Sequence, residues 1–346
     1  MRFLINNFSI KQYINYCGVV DDDLTVIMRG GTLMPIIDFH CDTIMKLMNK
    51  SQEFNLKKNN FCVDIIKLKK AKSIAQFFAL FIELDMVEDP LEYCLLMLDK
   101  FYEEIEKNSN DIALATNYQD LMDNMNKGLI SAFLTIEEGA VLKGKIQQLK
   151  NFYRLGVRLI TLTWDFPNEL GFPNKNEKDR NEGLTSFGLE VVSEMNNLGM
   201  IIDVSHLSDG GFYDVAKYSN KPFVASHSNA REITNHPRNL TDDMIKILAN
   251  KGGIMGINFE KHFLGHNELS RIEDMIAHIN HMKNIGGIDC ISIGTDFDGI
   301  SKQGLEIKNI GEIEKLLIAL SKNNFSGEEI DKMFYKNAIR VIKDVL

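Results

Sequence analysis

The sequence predicts an α/β fold, a (β/α)8 barrel of the TIM type, and three observations carry that reading. From Met34 onward, eight apolar runs of strand length alternate with longer segments of helical period, the pattern of repeated βα units around a parallel sheet. Six residues able to bind metal or move a proton stand at the ends of such runs: His40, Asp42, Glu137, His206, His227 and Asp296. Barrel enzymes place their chemistry at the C-terminal ends of the strands, so this placement agrees with the fold. No GxGxxG or P-loop follows the first run, which argues against an open, doubly wound nucleotide-binding sheet.

In chain order the predicted strands are Pro35 to Phe39, Ala75 to Ile82, Ser131 to Ile136, Leu159 to Leu162, Met200 to Val204, Pro222 to Ala225, Gly253 to Ile257 and Cys290 to Gly294. Helical patterns between them include Pro90 to Ile105, Leu184 to Leu198, Thr241 to Ala249 and Ile272 to Asn284. Thr185 opens the second of these, with Phe187 and Val191 on one face. Asn239-Leu-Thr-Asp-Asp reads as a helix start, with Thr241 as N-cap and acidic residues in the first turn, where the helix dipole favours them. Gly199, Gly252 and Gly253 fall between helical runs and strands, where C-caps and tight turns use glycine. The longest irregular stretch, Asp165 to Gly183, follows the fourth strand and reads as a functional or mobile βα loop.

A chain of 346 residues that is 45% hydrophobic and 25% charged can bury a sizeable core. Residues 34–346 are expected to form one barrel domain. Residues 1–33 are set apart as an extension, disordered or not native, because Arg29-Gly30-Gly31 reads as a translated purine-rich ribosome-binding sequence ahead of Met34. N-terminal mass spectrometry of the protein from its natural host checks this. The opening segment is interrupted by asparagine, lysine and glutamine and offers no small-residue cleavage site, unlike a signal peptide. The net charge of −9 argues against nucleic acid, whose phosphates need a clustered basic surface, and favours small-molecule partners. Five cysteines (Cys17, Cys41, Cys62, Cys94 and Cys290), scattered without a CxxC spacing, fit reduced thiols. No stretch approaches the roughly 20 apolar residues of a membrane span, so the expectation is a soluble, cytoplasmic protein.

At alternate positions of an extended segment, His40 and Asp42 turn to one side and can share an ion; Cys41 between them points away, as a packed thiol. A second ion needs its own nitrogen ligands, and His206 and His227 follow consecutive strands, neighbours in a barrel. A bridging carboxylate would come from the end of the third strand. Glu137 and Glu138 both stand there, one of them a ligand and the other a solvated glutamate, and spacing alone leaves open which is which.

These residues belong to a longer run of motifs: Asp38-Phe-His-Cys-Asp-Thr, Gln76-Phe-Phe-Ala, Ile136-Glu-Glu-Gly, Gly156-Val-Arg-Leu-Ile-Thr-Leu-Thr-Trp, Asp203-Val-Ser-His, Ala225-Ser-His-Ser-Asn-Ala-Arg, His236-Pro-Arg-Asn-Leu-Thr-Asp and Ile293-Gly-Thr-Asp-Phe-Asp-Gly. From Ile36 to about Val341 the chain resembles the membrane (renal) dipeptidase family of zinc peptidases, in the metal-dependent amidohydrolase superfamily. The resemblance implies two zinc ions per chain, with His40 and Asp42 on one, His206 and His227 on the other, and Glu137 between them. It also implies that Arg238 holds the substrate carboxylate and Asp296 handles protons. The implied reaction is hydrolysis of dipeptides by metal-activated hydroxide, with tolerance of a D-configured C-terminal residue; members of the family are often dimers, which makes a homodimer the partner the resemblance suggests, while the sequence itself does not set the oligomeric state. In one departure, mammalian members carry a substrate-contacting histidine after the fourth strand where this chain has Trp164, so Trp164 is taken as a substrate-binding residue that alters specificity.

His236, His262, His266, His278 and His281 receive no metal. His278 and His281 read as solvent-facing on an outer helix, and His262 and His266 as candidates to line the substrate pocket. Arg231 and Asp298 read as structural, in a salt bridge and in loop orientation, and Met45, Leu47 and Met48 as helix packing. Two rivals stand beside the dipeptidase: a dizinc amidohydrolase of another small amide, such as an N-acyl amino acid, and a non-catalytic metal- or ligand-binding protein.

Overall fold

Nine parallel strands form the sheet of the computed structural model, which describes residues 34–48, 54–266 and 268–346. The expected extension, residues 1–33 with Cys17, lies outside the described residues. The strands are β1 (Ile36–Cys41), β2 (Ser73–Phe81), β3 (Ile112–Leu114), β4 (Ile130–Glu137), β5 (Val157–Thr161), β6 (Ile201–Asp203), β7 (Val224–Ala225), β8 (Ile254–Ile257) and β9 (Ile291–Ile293). Hydrogen bonding runs β2-β1-β9-β8-β7-β6-β5-β4, and a β2–β4 ladder from Ala75↔Ser131 to Phe81↔Glu137 closes the ring. This is the expected (β/α)8 barrel, with the eight predicted strands as its staves. The additional β3 pairs only with β4, outside the ring; three residues of Ile-Ala-Leu are too short for a periodic signal.

Local chemistry sets the helices where the sequence puts them. Asp89 accepts from Leu91 N and Glu92 N at the start of helix Pro90–Lys107, Thr185 from Gly188 N before Ser186–Leu198, and Thr241 from Met244 N before Asp242–Asn250. Each side chain satisfies an otherwise orphaned amide and contributes about 1 kcal/mol. Gly199 closes its helix at φ +71°, a conformation only glycine adopts freely.

The side chains of the ring alternate between two faces. Phe39, Phe77 and Phe133 of β1, β2 and β4 stack with ring centroids 4.3 and 4.6 Å apart. By alternation that leaves Asp38, His40 and Gln76 on the other face. Glycine lets β7, β8 and β9 approach where the site is built: a Cβ on Gly256 or Gly294 would lie 2.0 or 1.8 Å from Ser226 O. Among the described residues no helix is long and apolar enough to cross a membrane. The four described cysteines are buried and unpaired.

Candidate metal centre

The C-terminal ends of β1, β4, β6 and β7 bring five side chains to one buried point. Glu137 lies between two sets of partners: its Oε2 is 3.3 Å from His40 Nε2, and its Oε1 is 3.1 Å from His206 Nε2 and 3.4 Å from His227 Nε2. Asp42 Oδ2 completes the first set, 3.3 Å from His40 Nε2. Ligand atoms of His40, Asp42 and Glu137 converge as one group and those of Glu137, His206 and His227 as another, and Asp296 forms a third with His40 and His227. Cys41, buried, joins none of the three.

The donor set fits zinc. Zinc holds nitrogen and oxygen donors at about 2.0–2.2 Å in a tetrahedron, so two donors of one ion stand roughly 3.3 Å apart, the spacing found here. Both ring nitrogens of His40 and Asp42 Oδ1 are buried without a hydrogen-bond partner, although two carboxylates crowd that ring. Buried polar atoms without partners are costly and call for an explanation, and for His40 Nε2, which faces both Asp42 Oδ2 and Glu137 Oε2, a shared ion supplies one. The electrostatics agree. Burial opposes charge on His40, but Glu137 and Asp42 outweigh it and hold the ring well above its ordinary pKa. Burial likewise raises Glu137, yet His40, His206 and His227 bring it well below the usual carboxylate range. On the other side of Glu137, burial and the charges of His40 and Arg238 hold His227 well below its ordinary pKa, which keeps that ring neutral, the form that ligates a metal.

Further residues aim the ligands. Asp38 accepts from Thr295 N, Thr295 Oγ1 and Gln76 Nε2, fixing β1 against β9 beside His40. Asp203 accepts from Thr161 Oγ1, Ser205 N and Ser226 N. Asn258 donates to Asp296 Oδ2 at 2.9 Å and to His227 O at 3.1 Å. Asp38 and Asp203 lie within the sequence motifs and Asn258 directly follows the predicted strand Gly253 to Ile257, but their roles were not assigned there. Their one signal was a polar residue inside or ending an apolar run. His206 and Asp296 take φ of +67° and +59°, left-handed conformations that cost non-glycine residues about 1–3 kcal/mol and gather at functional sites.

Above the ligands opens a cleft of about 660 Å³ lined by Asp296, Arg238, Trp164, Phe81, Lys175 and His236, among others. Arg238 is buried, donates to His227 O at 3.1 Å and Ser228 Oγ at 3.3 Å, and leaves Nε without a partner. Asp296 is pushed up to about 7 by burial and by the carboxylates of Asp42 and Glu137. The loop after β5 supplies Asp165, Asn174 and Lys175 to the cleft, as its irregular sequence suggested.

Four expectations need correction. Glu138 is not solvated: fully buried, it accepts from Ala140 N, Trp164 N and Asn168 Nδ2, and burial lifts it to about 7. His278 is not solvent-facing either; its Nδ1 accepts from Ala230 N, and its Nε2 meets Leu264 O at 3.0 Å. The histidine that lines the cleft is His236, while His262 and His266 are exposed. Met45 also reaches the cleft rather than serving packing alone. As expected, Arg231 pairs with Asp209 through both terminal nitrogens, and Asp298 binds Thr43 Oγ1, Cys62 N and Val63 N.

Comparison with known proteins adds independent findings. The model of the membrane dipeptidase family, peptidase family M19, matches residues 29–346. A Klebsiella pneumoniae protein encoded in the pqqA 5′ region is 30% identical over 74% of this chain and 97% of its own length. A Schizosaccharomyces pombe protein named as a dipeptidase is 28% identical over 89% of this chain and 80% of its own. A crystal structure of a Rhodobacter sphaeroides metallopeptidase, liganded with a phosphinate mimic of the dipeptide L-Ala-D-Ala, superposes with a TM-score of 0.84 at 22% identity, covering 91% of this chain and all of that one.

Proposed function

Because the chain belongs to the membrane dipeptidase family of metallopeptidases, we propose that it is a dizinc dipeptidase that hydrolyses dipeptides, including those with a D-configured C-terminal residue. The observation that carries the dinuclear reading is Glu137, whose two oxygens face His40 on one side and His206 and His227 on the other. His40 and Asp42 would hold one ion and His206 and His227 the other. Support for the D-configured substrate comes from the Rhodobacter sphaeroides neighbour, which binds a mimic of L-Ala-D-Ala.

When bound, the metal pair supplies an activated water and polarises the scissile carbonyl. The chain's own groups do the rest. Arg238, with its guanidinium anchored on His227 O and Ser228 Oγ, presents its remaining donors to the substrate carboxylate and limits cleavage to short substrates. Asp296 has Oδ2 tied to Asn258, leaving Oδ1 to take a proton from the attacking water and pass it to the leaving amine. Its position beside two other carboxylates favours a group that can hold that proton.

The test is amine release from a panel of L,L and L,D dipeptides by protein stripped with chelator and then reloaded with zinc, with bound metal counted. Restored cleavage confined to substrates with a free C-terminal carboxylate, at two zinc ions per chain, is the expected result. Cleavage of N-acyl amino acids in place of dipeptides would shift the assignment to that amide class, and no turnover by fully loaded protein would reject the enzyme reading.

A further inference from the structure

Arg238 lies on the segment joining β7 to β8, and in the ring order those strands are diametrically opposite β2 and β4. A substrate held by its carboxylate at Arg238, with its scissile amide at the Glu137 cluster, therefore directs its amino-side residue toward β2, β4 and the adjacent β5. That side of the cleft is aromatic. Phe81, the last residue of β2, meets Trp164, just after β5, edge-on with ring centroids 4.8 Å apart, and both line the cleft. Phe81 and Met45 also line an adjoining groove in which the apolar side chains of Met86, Tyr93 and Leu96 alternate with the carboxylates of Glu83, Glu88, Asp89 and Glu92.

Trp164 is fastened from behind. Glu138 accepts from Trp164 N at 3.1 Å and from Asn168 Nδ2, and Asn168 itself donates to Leu162 O and accepts from Leu170 N and Gly171 N. One carboxylate thereby secures the turn 162–171 that carries the indole. Glu138 stands at φ +115°, which non-glycine residues rarely adopt, so the chain accepts backbone strain to put a carboxylate there.

We propose that the Phe81–Trp164 wall selects dipeptides with a large apolar residue on the amino side of the scissile bond, and that Glu138 is the positioning residue for that wall. The proposal rests on the dipeptidase reading and adds a substrate class to it. An apolar side chain seated against two aromatic rings gains transition-state binding that glycine lacks, and one methylene in such a site changes kcat/KM by about tenfold or more.

Trp164 is the only tryptophan in the chain, so its emission reports on the wall directly. The experiment compares kcat/KM for Leu-Ala and Gly-Ala and, without any cleavage step, titrates Trp164 emission with leucinamide and glycinamide. Zinc-loaded wild-type protein is expected to favour the leucyl member of each pair by roughly tenfold or more, and Phe81→Ala to bring the two together. Glu138→Gln should shift the emission of Trp164 and narrow the leucyl preference, whereas a merely structural role would lower both activities equally. Asn168→Ala releases the same turn and serves as a second variant. Equal treatment of leucyl and glycyl ligands by the wild type would overturn the wall, and an unchanged preference in both turn variants would overturn the role of Glu138. Failure to cleave either dipeptide would count against the dipeptidase reading alone, because the emission titration still decides the wall.

Discussion

Ser226 Oγ lies 2.7 Å from His227 Nδ1, and the same hydroxyl bonds Asp203 Oδ2. A carboxylate only accepts, so the serine proton goes to Asp203 and His227 keeps its own proton on Nδ1, leaving the Nε2 lone pair facing Glu137. Outer partners of this kind fix the tautomer of a ligand, and losing one costs about 10–100-fold in metal affinity. Ser226→Ala should weaken zinc binding by that order in a competitive chelator titration, and an affinity equal to that of the wild type would show that Ser226 does not orient His227.

Metal removal should cost stability while leaving the barrel folded. An ion that binds the native state at a thousand times its Kd adds about 4 kcal/mol, and with about 2 cal/mol/K of unfolding entropy per residue each kcal/mol is worth roughly 1.5 °C in Tm for a barrel of this size. Chelator-treated protein should keep its far-UV circular dichroism, melt about 6 °C lower for each ion lost, and recover on adding zinc. An unchanged melting point would mean that the His40, Asp42 and Glu137 group holds no ion that matters to folding.

The barrel was legible because its staves are largely apolar runs that end in chemistry, as with Ile36-Ile-Asp-Phe-His and Met200-Ile-Ile-Asp-Val-Ser-His. β3 escaped because a strand of three residues has no period to detect. The fate of Glu138 was illegible for another reason: neighbouring glutamates on a strand end usually face opposite ways, one of them to water. Here an unusual backbone angle and the turn after β5, distant in sequence, enclose the second one. His278 was misread because its partners, Ala230 N and Leu264 O, are 48 and 14 residues away and leave no mark on helical spacing.

Arg238 is the group that ties substrate choice to a free carboxylate. Truncating one partner of a buried, hydrogen-bonded charge pair costs about 2–5 kcal/mol. Arg238→Met should therefore lower kcat/KM for dipeptides by about 10²–10³-fold. Arg238→Lys, which keeps a charge but loses the planar fork, should fall between. Amide-capped dipeptides, slow with the wild type, should lose only a few-fold. An equal loss on capped and free substrates would assign Arg238 to holding His227 O rather than to recognition.

His278, which joins none of the convergent ligand groups, offers a test of stability. Burial is the largest influence on it and brings its pKa down to about 4, from 6.5 in an exposed ring. The ring serves folding as a neutral group, accepting at Nδ1 from Ala230 N and donating from Nε2 to Leu264 O. Between those two values the unfolded chain binds a proton that the folded chain refuses. Its contribution is therefore complete above pH 6.5 and falls away as the pH drops toward 4, by up to about 3 kcal/mol. Urea unfolding of the zinc-loaded protein across this window should show that decline. In His278→Gln, which can still donate and accept there, the part due to this ring should vanish, even if the variant is less stable at pH 8. A wild-type decline that persists in full in the variant would assign the acid sensitivity to other groups and leave His278 as packing alone.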